Sequence, residues 1–255
     1  MRIDAPPRPE QNAEMPVVEG FVVNEQDVAG AREDGDTAEV RTTIDASNGC
    51  ERLEQHVVRF APGRSMERVN EGRQEVLYVV SGRGTLRLDG GEHVLEPQTG
   101  AFLAPGETYS VDNPGPEELL VVSVTAPAGD AGVGANRKVT VRYADQPSLG
   151  ATADREFRYV INQDAGCLEV TQFVGEIPPS RAPEHHHTYD EVVYVIEGEG
   201  VYHIGGDDIP MSQGTCIHLP PLVRHCLENT GSQKMRVLGV FHPSGDPSRA
   251  YFDNK

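Results

Sequence analysis

Short runs of aliphatic, β-branched and aromatic residues recur along the chain, at positions 76–80, 85–88, 119–124, 192–196 and 236–241. Between them lie most of the 27 glycines and 19 prolines, residues that break regular structure and favour turns. Short apolar runs separated by turn signals at roughly 8–12-residue spacing predict an all-β sandwich or barrel. No long segment keeps a helical period. The helix candidates are short, one around residues 24–32 and one near the C-terminus.

An internal repeat divides the chain. Residues 61–84 align without a gap on residues 177–200 at an offset of 116, which pairs Glu75 with Glu191, Tyr78 with Tyr194, Gly82 with Gly198 and Gly84 with Gly200. The same offset returns at Asn113 and Asn229. Two tandem β domains follow, with boundaries at 39–127 and 151–245. Residues 128–150 read as a linker, because 126–136 is rich in small residues. Residues 1–38 form a polar arm without a core of its own, a strap or tail, and 246–255 form a C-terminal tail.

The chemistry concentrates in the second half, where 7 of the 9 histidines lie after residue 184. His185 and His187 stand at i and i+2, and alternate side chains of an extended segment share a face. Glu191 is a further even step along and opens an apolar run. His225 follows a proline turn and comes from a neighbouring strand. Three imidazoles and one carboxylate suit Fe, Mn, Ni, Co, Cu or Zn rather than Ca or Mg, which prefer oxygen shells. Four protein ligands on an octahedral ion leave two positions open, so the site is suited to catalysis.

The pattern His185-x-His187-x3-Glu191-x6-Gly198, with Pro220, His225 and Asn229 after it, resembles the two motifs of the cupins. Pro179 and Leu222 replace two glycines of those motifs, and neither departure touches a ligand. The resemblance implies two tandem double-stranded β-helix, or jelly-roll, barrels. In the second, His185, His187, Glu191 and His225 hold one divalent transition-metal ion per chain, with Fe or Mn favoured. In the first, Val69, Glu71, Glu75 and Tyr109 fall on the four ligand positions, which predicts a metal-free barrel.

Cupins with this ligand set include quercetin dioxygenases, oxalate decarboxylases and germins. The resemblance therefore implies a metal-dependent enzyme acting on a small oxygenated organic molecule, with a dioxygenase-type oxidoreductase as the leading reading. A non-redox isomerase, lyase or decarboxylase is the alternative enzyme, and a non-catalytic small-molecule-binding protein is the third reading. Glu191 is also the candidate acceptor of a substrate proton. Tyr202, His218 and Arg181 are the substrate-binding candidates: Tyr202 by its strand alternation, His218 by its place before the proline turn, and Arg181 as a clamp for a carboxylate at the mouth. His203, which aligns with Arg87, is expected to be exposed. A homodimer is implied by resemblance alone.

Charge and apolar content narrow the partners. A formal charge of -18 repels phosphate backbones and anionic head groups, so neither nucleic acid nor a membrane surface is an expected partner. No run reaches the roughly 18 apolar residues of a membrane span, and the proline-rich start lacks a signal-peptide core, so a cytoplasmic protein is expected. The four cysteines are scattered and read as reduced thiols.

Overall fold

A computed structural model of the chain describes residues 20–151 and 154–249. Apolar residues on both faces of a strand mean that both faces are covered, and the central strands Arg73–Ser81 and Asp190–Glu197 show how. Leu77 and Val79 point into the first barrel, while Val76 and Tyr78 point away from it into a second core. The pattern repeats in the other half, with Val193 and Val195 inside the second barrel and Val192 and Tyr194 facing out. The outward sets meet. Val57, Val76, Tyr78, Phe102, Val122 and Val124 of the first half share one buried cluster with Val174, Val192, Tyr194, Leu238 and Val240 of the second.

Among the described residues all strand pairings are antiparallel. The strands Thr140–Arg142, Thr99–Leu103, Arg73–Ser81, Leu119–Pro127, Glu54–Phe60 and Ala38–Ile44 form, in that order, the large sheet of the first barrel. In the second barrel the order is Phe21–Asn24, Thr215–Leu219, Asp190–Glu197, Met235–His242, Thr171–Ile177, Glu156–Ile161 and Leu149–Gly150. A smaller sheet closes each barrel, and in the second it consists of Asp207–Ser212, Glu199–Ile204 and His225–Asn229.

The arm behaves differently from a free tail over its described part. Phe21–Asn24 adds an edge strand to the second barrel, while Glu25, just after it, is held by Arg59 and Arg41 of the first. The arm thus straps the two halves together. The helix expected around residues 24–32 is only a single 3-10 turn, Glu25–Asp27, capped by the Asn24 side chain. Residues 1–19 and the last six residues lie outside the described part, and residues 243–249 contain no helix. The small-residue stretch from 126 also begins inside a strand, because Leu119–Pro127 runs through it.

The repeated glycines and asparagines have the same cause in both halves. Gly198 has φ 98°, and a β-carbon there would stand 2.9 Å from the Met235 backbone. At Gly200 a β-carbon would sit 2.0 Å from the Glu228 carbonyl oxygen, so the strand crossing allows only glycine. Asn229 Nδ2 donates to the carbonyls of Ile177 and Gln233 at 2.7 and 2.8 Å, and its Oδ1 accepts from Gly231 N–H at 2.9 Å. Asn113 makes the corresponding three bonds to Phe60, Glu117 and Gly115. Among the described residues no helix is long and apolar enough to cross a membrane.

Candidate metal centre

The ligand candidates sit where the strand Asp190–Glu197 meets the segment before it. That segment is extended but belongs to no sheet. It touches the strand His225–Asn229 through two isolated bridges, Arg181 to Glu228 and His185 to His225. The second bridge brings the rings of His185 and His225 to 4.8 Å between centroids. His187 lies equally close to His225, again 4.8 Å. Glu191 is cross-strand from Leu219 and Phe241 and turns inward, with Oε2 3.3 Å from His187 Nε2.

Each imidazole is oriented by its own backbone. His185 Nδ1 lies 3.0 Å from the Pro183 carbonyl, His187 Nδ1 2.8 Å from that of Tyr189, and His225 Nδ1 2.9 Å from that of Val223. A carbonyl only accepts, so each Nδ1 carries the hydrogen and each Nε2 carries a lone pair. Metal-binding histidines are commonly oriented through the other ring nitrogen in this way. The His187 ring is further held by stacking on Tyr189 at 4.2 Å, and Tyr189 stacks on Phe241 at 4.1 Å.

Burial sets the protonation states. It pushes His187 down to about 4 and His225 to about 3, and lowers His185 as well. The same lack of solvent raises Glu191 to about 8. Neutral imidazoles beside a carboxyl that resists ionisation form a group lacking a positive charge. His187 Nε2 is buried without a hydrogen-bond partner, although Glu191 Oε2 is 3.3 Å away. A buried unpaired acceptor is costly, and a cation among these donors removes that cost and ionises Glu191. The residues present therefore fit a borderline divalent ion.

The four candidates line one cavity of about 130 Å³, walled by Phe157, Phe173, Val193, Leu219 and Leu227. Gly239 makes room there, since a β-carbon would meet the Phe173 ring at 2.3 Å and Glu191 Oε1 at 2.9 Å. Arg155 also lines the cavity, with Nη2 donating to the Leu227 carbonyl at 2.7 Å. Sequence reasoning missed Arg155, Tyr189 and Gly239: Tyr189 occupies an unspecified position between His187 and Glu191, and the other two lie outside the motifs.

The three substrate-binding candidates are not on this cavity. Arg181 points outward, exposed, with Glu184 at 3.5 Å and the Cys226 thiol as neighbours. His218 pairs across with Val192, not with Glu191, so it lies on the opposite face of the sheet, toward the first barrel. There its Nε2 meets Asp190 Oδ1 at 3.0 Å. Tyr202 does face the barrel interior, 6.3 Å from the His225 ring, but it is packed among Val195, Ile217 and Met235. Its hydroxyl ends against Gly20, where a β-carbon would approach to 2.9 Å.

His203 also departs from expectation. It is buried, with Nδ1 2.5 Å from Asp208 and Nε2 2.8 Å from Glu228. Its counterpart Arg87 likewise pairs with two carboxylates, Glu92 and Asp112. The outward face is covered by acidic neighbours in both halves, and the shorter histidine sinks beneath them.

In the first barrel, Val69 is 49% exposed and Glu71 is exposed as well. Glu75 is buried, and its carboxylate accepts from Tyr109 Oη at 3.0 and 3.1 Å, from Ser123 Oγ and from Asn70 Nδ2. Protein donors thus hold this carboxylate.

The Cupin domain family matches residues 56–125 and again residues 173–241, more than half of the chain. The chain belongs to the cupin family. It is a bicupin, one cupin domain in each half. It resembles an oxalate-binding protein of Thermotoga maritima, 29% identical over 94 residues, covering 36% of this chain and 78% of that protein. An acireductone dioxygenase of Bacillus pumilus is 33% identical over 63 residues, 23% of this chain and 36% of the dioxygenase. An uncharacterized protein of Methanocaldococcus jannaschii is 29% identical over 58 residues, 23% of this chain. The bicupin thus covers 46% of that protein's length and 36% of the dioxygenase's.

Among solved structures, the protein Ylba from E. coli superposes with a TM-score of 0.76 at 14% identity, over 92% of this chain and 96% of Ylba. A mutant of Bacillus subtilis oxalate decarboxylase gives 0.72 at 14% identity, over 94% and 81% of the two chains. At such identities the likeness shows the bicupin fold.

Proposed function

We propose that the second barrel is a metal-dependent enzyme acting on a small oxygenated organic anion, with dioxygenase-type oxidation as its reaction. The observation that carries the reading is the set of three imidazoles whose Nδ1 atoms are occupied by backbone carbonyls beside the buried Glu191. His185, His187, Glu191 and His225 would hold one ion, with Fe or Mn favoured. When bound, the ion supplies Lewis acidity and open coordination positions for substrate oxygens and dioxygen.

The chain's own residues supply binding and exclusion of water. Arg155 gives the cavity a cation for a substrate carboxylate, replacing Arg181 in that role. Phe157, Phe173 and Leu227 form an apolar wall, and the cavity suits a small molecule. Glu191 lines the cavity and, once ionised, would be the acceptor of a substrate proton. The partner in this reading is a small molecule and not nucleic acid, in keeping with the charge of -18. The names of two relatives, an oxalate-binding protein and an acireductone dioxygenase, support a small oxygenated acid or enol as the substrate class.

Oxygen uptake tests the reading. Protein loaded with Fe(II) and offered a panel of small keto, hydroxy and dicarboxylic acids should consume dioxygen with at least one of them, and His187→Ala should not. Turnover of the same substrate under strict anoxia with Zn bound would instead establish non-redox chemistry. Saturable binding without turnover under either condition would make the protein a binding module.

A further inference from the structure

The core between the barrels is built from equivalent positions of the two halves, and at one point the two copies differ chemically. After the first long strand of each half, a 3-10 turn ends in a left-handed glycine, Gly49 or Gly166, followed by Cys50 or Cys167. Each cysteine reaches the opposite barrel. Cys167 Sγ donates to Gln74 Oε1 at 3.4 Å, a neutral thiol–amide contact.

Cys50 meets another set. The counterpart of Gln74 at the offset of 116 is Asp190, and the counterpart of Phe102 is His218. The register confirms both equivalences, since Val76 pairs with Phe102 as Val192 pairs with His218, and Gln74 pairs with Ala126 as Asp190 pairs with His242. Amide, phenyl and methyl groups on one side are thus replaced by a carboxylate and two imidazoles on the other.

One donor atom from each of Cys50, Asp190 and His218 lies within 4.8 Å of the other two. Cys50 and His218 are each 1% exposed, and the Asp190 side chain is 13% exposed. His218 Nε2 meets Asp190 Oδ1 at 3.0 Å, which leaves Nδ1 buried without a partner. His242, across the strand from Asp190, also has a buried Nδ1 without a partner. A carboxylate and unpaired imidazole nitrogens in an apolar interface are retained at a cost that the Gln74 copy avoids, unless a cation joins them.

We propose that Cys50, Asp190 and His218 form a second metal site, separate from the barrel cavity, that takes Zn²⁺ or a similar borderline divalent ion. Sulfur, nitrogen and oxygen donors together match that class. The thiolate comes from the first half and the other two ligands from the second, so the ion acts as a clip between the barrels.

Cobalt(II) separates this site from the barrel site, because thiolate ligation gives a sulfur-to-metal charge-transfer absorption and the barrel candidates contain no sulfur. Protein produced with cobalt should show that band. His187→Ala should keep it at full strength, as should Cys167→Ala, while Cys50→Ala and His218→Phe should lose it together with about one ion per chain. If Cys50→Ala does not fold, Cys50→Ser reads the same band with nearly unchanged volume. Absence of the band from wild type, or its survival in the folded Cys50 variant, would overturn the proposal.

Discussion

His185 and His225 hydrogen-bond to each other's backbone in both directions, N–H to carbonyl, at 3.0 and 2.9 Å. That single bridge holds two imidazoles from distant parts of the chain with their rings 4.8 Å apart. It uses no side-chain atom, so the arrangement is set by the fold and precedes any ion.

His225→Ala should therefore keep the bridge and the β-sheet while losing a donor. Metal affinity should fall more than about 100-fold, beyond what losing an orienting neighbour costs, with an unchanged circular dichroism spectrum. Competition against a chromophoric chelator measures it, and wild-type affinity in this variant would remove His225 from the ligand set.

Metal uptake should release protons with a defined pH dependence. In the metal-free fold Glu191 is raised from 4.5 to about 8, so between those values the folded chain holds a proton that the unfolded chain has given up. The metal-free fold therefore loses stability through this group as pH rises across that window. His187 and His225 have the opposite sign. Lowered from 6.5 to about 4 and about 3, they stay neutral while the unfolded imidazoles gain protons, so their contribution is lost as pH falls below 6.5. At pH 6.5 to 7 an incoming ion should expel about one proton, from Glu191, and affinity should rise with pH until about 8 and then level off. Calorimetry in two buffers of different ionisation enthalpy reads the proton count. Proton-neutral uptake at pH 6.5 would contradict the assignment.

Arg155→Ala should weaken binding of a small carboxylate to the metal-loaded protein by about 10–100-fold, the value of a charge-assisted hydrogen bond. Arg181→Ala should leave it unchanged, since Arg181 faces Glu184 and Cys226. Titration with oxalate as the probe compares the two, and the reverse ranking would put the anion outside the cavity.

In the first barrel, Tyr109→Phe removes a donor from the buried Glu75 carboxylate and keeps the ring packing. Stability should drop by about 1.5–3 kcal/mol, visible in urea denaturation, while metal content stays at the wild-type level. Loss of metal in this variant would show that the first barrel holds an ion.

The fold was legible because it rests on repeated spacing, whereas the ligand candidates rest on the local pattern His185-x-His187-x3-Glu191, whose histidines the first half replaces with Val69 and Glu71. Glycines 198 and 200 and Asn229 recur at a fixed offset because a close strand crossing and a three-bond clamp recur, and such backbone demands leave one residue type. The side chains around the site are under no such demand. The place of His218 before the proline turn does not fix its face, because the two halves differ in sequence there. Its face follows from the pairing of Val192 with His218, a relationship between strands that local sequence does not carry. Arg155 enters the cavity from outside the repeated motifs, and it became visible only when the strand Glu156–Ile161 was placed against Thr171–Ile177. The buried His203 was hidden for a related reason, because its two carboxylate partners lie on neighbouring strands.

Metal analysis of protein purified without added metal, for wild type and His187→Ala side by side, tests the central claim most directly. His187 Nε2 is buried without a hydrogen-bond partner, so removing the ring should lower the metal content by about one ion per chain while the sheet signal is kept. Equal, stoichiometric metal in the two proteins would contradict the assignment of His185, His187, Glu191 and His225 as the metal centre.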